Sequence, residues 1–202
     1  VSGAEVLYFA FGANMCASVL ERRSVQVTDS YAGTLEDHRL VFDLPGIPWI
    51  EPVFANIAPT PGATVHGVLH AMTRPDFDRL SRSEGAGRHY RCIEVSVKPL
   101  NGDEPQIAMA FEAMRRVQGL NPSRRYVDLL LEGARTHGLP QSYIAALEAQ
   151  PCVDFPGARR LMPKVLKGFD VLFQAGMAPE RLLDGLWGLY RKMTGTTRDH
   201  DQ

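Results

Sequence analysis

A carboxylate able to move protons and a turn that gathers backbone N–H groups are the two pieces of chemistry this sequence offers. The carboxylate is Glu84, at the end of a short helical segment and followed by Gly85-Ala86-Gly87. The turn lies in Tyr8-Phe9-Ala10-Phe11-Gly12-Ala13-Asn14-Met15, an apolar run that halts at Gly-Ala-Asn before helical pattern begins. A strand passing through Gly-x-Asn into a helix points amide hydrogens at one spot, and the helix N-terminus adds partial positive charge there. Such a turn holds a carboxylate or a developing oxyanion. Tyr90, opening the strand after Glu84, adds a hydroxyl. Each feature also has a plainer reading: a β-turn-α corner capped by asparagine, and a glutamate on the surface, where carboxylates mostly lie. A cleft is the alternative that the setting of Glu84, between a helix, two glycines and an apolar strand, leaves open. A general base there must come within hydrogen-bond reach of the proton it takes.

The elements that position these residues follow from pattern. Val6 to Phe11 is β-branched and aromatic and predicts a buried strand; helix is predicted from near Met15 to about Arg23. Arg39–Asp43 reads as a strand, Leu44 to Pro52, with three prolines, as an irregular loop. Phe54–Ala58 and Val65–His70 read as two strands around the hairpin-like turn Pro59-Thr60-Pro61-Gly62. Thr73 caps a helix that carries Phe77 and Leu80 and ends at Glu84-Gly85. Tyr90–Lys98 and Ile107–Met114 form strands about Asn101-Gly102-Asp103; Ser123–His137 and Gln141–Ala149 form helices. Strands come first and helices later. That order predicts α+β, with a mostly antiparallel, barrel-like sheet flanked by short helices.

Lysine and arginine number 22 against 23 acidic residues, a formal net charge of −1. This excludes the basic excess of a nucleic-acid binder and suits a small, roughly neutral ligand. The arginine doublets 22–23, 115–116, 124–125 and 159–160 are scattered and read as solvated surface. Cys16, Cys92 and Cys152 lack C-x-x-C spacing, and the six histidines lack metal-ligand spacing, so neither a disulfide framework nor a metal is expected. No apolar run is long enough for a signal peptide or a membrane span. The expectation is a cytoplasmic protein without membrane contact.

Tyr8 to Met15 resembles the Y-F-A-Y-G-S-N motif of γ-glutamylcyclotransferases. The similarity continues through Phe54–Ala58, Val65-His66-Gly67-Val68-Leu69, Glu84-Gly85, Tyr90, Asn121-Pro122-Ser123 to Tyr126, and Gly133-Ala134 to Gly138-Leu139-Pro140, ending near Pro151. The resemblance implies a barrel-like α+β domain over 1–151 and a reaction needing no metal or cofactor. In it the α-amino group of a γ-glutamyl amine, amide or peptide attacks its own γ-carbonyl, releasing 5-oxoproline and a free amine. It further implies that Glu84 is the general acid/base and that Gly12, Ala13 and Asn14 form the substrate loop. Tyr8, Phe11, Tyr90 and Tyr126 are then further substrate-binding positions. Phe11 and Ala13 replace the motif's tyrosine and serine, so two hydroxyls are absent. A module that binds γ-glutamyl ligands without turnover, or a related acyl-transfer enzyme of a biosynthetic pathway, are the alternatives.

Residues 152–202 lie outside the resemblance and are expected to form a helical extension packed on the domain. From Pro179, Leu182, Leu183, Leu186, Trp187, Tyr190 and Met193 make a helical stripe ending by Gly195. This stripe covers the domain's own surface or, alternatively, meets a homodimer mate or another partner.

Overall fold

The structure, a computed structural model, describes residues 5–84, 89–156, 160, 164–165, 168 and 180–194. Five strands close into a barrel: β1 (Glu5–Ala10), β2 (Asp29–Ile47), β3 (Glu51–Thr73), β4 (Tyr90–Pro99) and β5 (Gln106–Ala113), in the order β1-β3-β2-β4-β5. The pairings are antiparallel apart from that of β1 with β5, where Tyr8 faces Met109 and completes the ring. A 3-10 turn at Ala13–Met15 precedes α1 (Ala17–Arg22); α2 (Arg74–Ser83), α3 (Arg124–Thr136), α4 (Gln141–Glu148) and α5 (Glu180–Thr194) follow. The expected α+β barrel-like class is the observed one.

Local chemistry accounts for the elements around the site. Consecutive residues Tyr8, Phe9 and Ala10 are all buried, which is why β1 reads as a continuous apolar run rather than an alternation. Thr73 caps α2, its hydroxyl accepting from the Asp76 N–H at 3.3 Å, and Glu84 is the C-cap residue. Ser123 caps α3 in the same way, accepting from Tyr126 N–H at 3.0 Å. Along β4, Val95 and Val97 turn inward while Cys92, Glu94 and Ser96 face outward.

Two expectations are corrected. Leu44 to Pro52 is not a loop: β2 continues to Ile47, Pro45 lies opposite Val53, and residues 48–50 alone make the turn. The ladder explains why proline is tolerated. β4 pairs with β2 only at Gly33–Leu35 and β1 with β3 only at Val68–Thr73, so the distal ends of β2 and β3 form a two-stranded ribbon. There a missing N–H removes no bond to a third strand.

The second correction concerns Phe54–Ala58 and Val65–His70, which do not pair with each other. Both belong to β3 and both pair with β2, Pro59 opposite His38 and Thr64 opposite Glu36. The residues between bulge outward, with Gly62 at φ +76° and its N–H donated to Asp37 Oδ1 at 2.8 Å. The turn chemistry is present, but it makes a bulge within one strand.

In α5, Trp187 is buried against Val53 and Val117, and its indole N–H donates to the Gly46 carbonyl at 2.9 Å. Tyr190 meets Trp49 edge-on at 5.3 Å. Met193, assigned to the apolar stripe by the sequence, is instead 68% exposed. The side chains of Leu182 and Leu183, the ends at Pro179 and Gly195, and most of 157–179 lie outside the described residues. Among the described residues no helix is long and apolar enough to cross a membrane.

α3 seats the turn that follows β1. A Cβ placed on Gly133 would stand 2.5 Å from Met15 Cβ and 2.8 Å from its carbonyl carbon, so glycine is required for this approach. Gly133→Ala is expected to destabilise the fold by about 1–3 kcal/mol through overpacking. A urea denaturation midpoint equal to that of the parent protein would contradict this packing.

Candidate active site

The turn at 12–14 leaves β1 and is held from below by α3. Met15 N–H donates to the Gly12 carbonyl and Cys16 N–H to that of Ala13, each at 3.0 Å. An added Cβ on Gly12 would lie 3.1 Å from the Tyr126 hydroxyl. That hydroxyl oxygen accepts from Ala55 N–H at 3.1 Å. Ala13 is half-buried, whereas Phe11 is buried and packs on Phe9 with ring centroids 6.3 Å apart.

Asn14 joins the turn to Glu84. Its Nδ2 donates to Glu84 Oε1 at 2.7 Å and to the Tyr8 hydroxyl at 2.9 Å. A carboxylate can only accept here, which fixes the orientation of the amide and leaves the Tyr8 hydrogen free to donate elsewhere. The other amide atom, Asn14 Oδ1, is buried with no hydrogen-bond donor among the described residues. A buried acceptor left unpaired costs roughly 1–3 kcal/mol, a penalty native structures seldom carry without a reason. Glu84 itself, contributed by the C-cap of α2, has a side chain 13% exposed. The sequence-predicted residues Tyr8, Gly12, Ala13, Asn14, Glu84 and Tyr126 thus meet in one region.

Three tyrosines surround this carboxylate. Burial, with the Glu84 charge adding to it, raises the hydroxyls of Tyr8 and Tyr90 well above the ordinary phenol range. Tyr126 is raised as well, by burial first and by Glu84 less. All three are neutral O–H groups at physiological pH. Tyr90 also leans on Phe111, centroids 6.1 Å apart.

Two features escaped the sequence reading. The first is Arg23, whose Nη1 pairs with Glu84 Oε1 and donates to Ser83 Oγ at 3.2 Å. Burial pulls the guanidinium pKa down, but the charge and hydrogen bond of Glu84 outweigh it and raise it overall. Arg23 is not solvated surface, and neither is Arg125, which forms two hydrogen bonds to the fully buried Glu51. Arg116 is exposed, as a solvated surface residue, while pairing with buried Glu112 four residues before it at 3.1 Å. The reason is common to Arg23 and Arg125: a largely buried carboxylate distant in the chain draws one arginine out of its doublet.

The second feature is His70. Asn14 O lies 3.0 Å from Nε2 and can only accept, so Nε2 carries the hydrogen and Nδ1 accepts from Ser30 Oγ at 2.8 Å. Burial pushes the imidazole down to about 4, so it is neutral at physiological pH. It thereby ties the Asn14 backbone to β3 and β2. Among the described residues no group of three or more His, Cys, Asp or Glu side chains is placed to hold a metal.

The chain is similar to known proteins over most of its length. The AIG2-like family model matches residues 64–147. The chain is 33% identical over 147 residues to γ-glutamyl cyclotransferase gliK of Claviceps purpurea, spanning 68% of this chain and 66% of that protein. It is 30% identical over 152 residues to the γ-glutamylcyclotransferase of Mus musculus, spanning 73% of this chain and 79% of the mouse protein. A solved γ-glutamyl cyclotransferase shares the fold with a TM-score of 0.68 at 24% identity, over 80% of this chain and 99% of the other. The chain belongs to the γ-glutamylcyclotransferase family. Its match spans just under two thirds of the length of the fungal relative.

Proposed function

We propose that this protein cyclises a γ-glutamyl amine, amide or peptide to 5-oxoproline and the free amine without a cofactor, Glu84 acting as general acid and base. The observation that carries this reading is the 2.7 Å hydrogen bond by which the turn's own asparagine holds Glu84 Oε1 beside the turn. At neutral pH the α-amino group of such a substrate is ammonium and cannot attack. Glu84 accepts one of its protons, the freed amine attacks the γ-carbonyl carbon, and the oxygen becomes negative. The bond to the leaving nitrogen then breaks as Glu84 returns the proton to that nitrogen; Glu84, a carboxylate again, takes the second proton from the ring nitrogen and passes it to the departing amine or to solvent, leaving neutral lactam.

The remaining residues supply binding and charge stabilisation. Neutral Tyr8 and Tyr90 hydroxyls and the Gly12, Ala13 and Asn14 amides are the donors available to the oxyanion; one such donor typically contributes about 3–4 kcal/mol. Asn14 Oδ1, buried without a donor, suits a substrate that brings N–H groups. Holding the glutamyl arm folded adds the advantage of positioning. A phenylalanine at 11 and an alanine at 13 leave out two hydroxyls, so the leaving amine is read by other groups.

The test is to incubate the purified protein with a panel of γ-glutamyl amines, γ-glutamyl amino acids and glutathione while following 5-oxoproline. Release from at least one is expected. Binding of the panel with no release from any would identify a ligand-binding module of this fold instead.

A further inference from the structure

The ion pair between Arg23 and Glu84 raises a question of charge. A base that must accept a proton from an ammonium is already satisfied by a guanidinium. A γ-glutamyl head group carries an α-ammonium and an α-carboxylate on the same carbon, an ion pair of its own. Resting on the cyclotransferase reading above, we infer that the two pairs exchange partners. The substrate α-carboxylate takes Arg23, and the α-ammonium takes Glu84, so Arg23 is the residue that selects γ-glutamyl compounds with a free α-carboxylate.

Several observations support the exchange. Tyr8, Tyr90 and Tyr126 are neutral, so Arg23 and Glu84 cancel and their surroundings match a zwitterion rather than a net anion. Both partners are reachable, with side chains 23% and 13% exposed, while Asn14 beside them is buried. Among the described residues the side-chain contacts of Arg23 run through Nη1 alone, to Glu84 and Ser83. A guanidinium has five donors in a planar fork that fits a carboxylate through two parallel bonds, and the bonds to Glu84 and Ser83 both use one corner of it. Exchange also removes the guanidinium from Glu84 at the moment the ammonium arrives, leaving the carboxylate ready for its proton. Arg23 is held for this role at the end of α1, where Ser24 at φ +56° stops the helix and Val25 N–H returns to the Leu20 carbonyl at 3.0 Å.

The experiment compares a γ-glutamyl amine with its α-carboxamide counterpart, which cyclises to 5-oxoprolinamide. The parent protein is expected to prefer the carboxylate by about 100-fold in kcat/KM, mostly through KM, because the carboxamide leaves a desolvated guanidinium unmatched. Arg23→Gln should bring that ratio to within about threefold of one, and Arg23→Lys, which keeps a point charge, should restore part of it. Calorimetric titration with 5-oxoproline and 5-oxoprolinamide gives a second readout independent of turnover, with the same loss of preference expected in Arg23→Gln. Circular dichroism establishes that each variant is folded. Equal losses on both substrates in Arg23→Gln, or an unchanged ratio, would overturn the assignment while leaving the cyclotransferase reading intact. Carboxylate-selective binding without 5-oxoproline release would uphold Arg23 and overturn the cyclisation; neither binding nor release would overturn both.

Discussion

Glu84→Gln is expected to fold like the parent protein and to release 5-oxoproline more slowly by a factor of roughly 100 or more, the usual scale for losing an acid–base group. The substitution is nearly isosteric, and its carbonyl oxygen can still accept from Asn14 Nδ2 as Glu84 Oε1 does at 2.7 Å. What vanishes is the ability to take a proton from the ammonium and deliver it to the leaving nitrogen. It also leaves Arg23 facing a neutral amide, so a modest drop in thermal stability should accompany the loss of rate. The two effects separate cleanly: turnover is read from 5-oxoproline release, integrity from circular dichroism and the melting temperature. A folded Glu84→Gln protein with full activity would remove Glu84 from the mechanism.

The sequence exposed the residues that lie on special backbone and hid those that act through partners. Gly12, Asn14 and Glu84 stand where a strand stops or a helix ends, and such places are visible in one chain because glycine, capping residues and proline mark them. Arg23 has no mark of that kind. It sits in a doublet like three others, and its partner is 61 residues further along the chain. His70 is similar: in sequence it is one more residue of a strand, and only the barrel brings it to the Asn14 carbonyl and the Ser30 hydroxyl.

Errors in the fold reading have the same origin. Proline clusters at 45–52 and 59–61 announce interruption, yet whether they end a strand depends on how many neighbours the strand has there. In the distal ribbon of β2 and β3 each strand has one ladder partner, and proline fits. The strongly alternating β4 and the capped helices α2 and α3 were legible because their signals are local. Element order suggested a barrel-like sheet and the resemblance agreed, but no local pattern encodes the closure itself: the parallel contact of β1 with β5 joins residues about a hundred positions apart, Tyr8 and Met109.

The largest expected effect on stability lies away from the proton-transfer residues. Glu51 is fully buried at the start of β3, and three donors satisfy it: Ser123 Oγ at 2.9 Å, Arg125 Nε at 2.9 Å and Arg125 Nη2 at 3.1 Å. Ser123 also caps α3, so its hydroxyl accepts from Tyr126 N–H while donating to Glu51. This cluster therefore fixes the first turn of α3, and with it Tyr126, whose hydroxyl holds the amide of Ala55 and lies against Gly12 of the turn. Arg125→Met strands the buried carboxylate with one neutral donor and is expected to cost about 3–5 kcal/mol. Replacing both charges, as in Glu51→Leu with Arg125→Met, should recover much of that loss, because an apolar pair leaves no uncompensated charge. Urea unfolding of the two single variants and the double variant measures the coupling directly. Because Tyr126 is reached through this cluster, Arg125→Met should also lower the rate of 5-oxoproline release at temperatures where the variant is still folded. Additive single losses, with no recovery in the double variant, would mean that the pair does not act as a unit and that α3 is held by its apolar face alone.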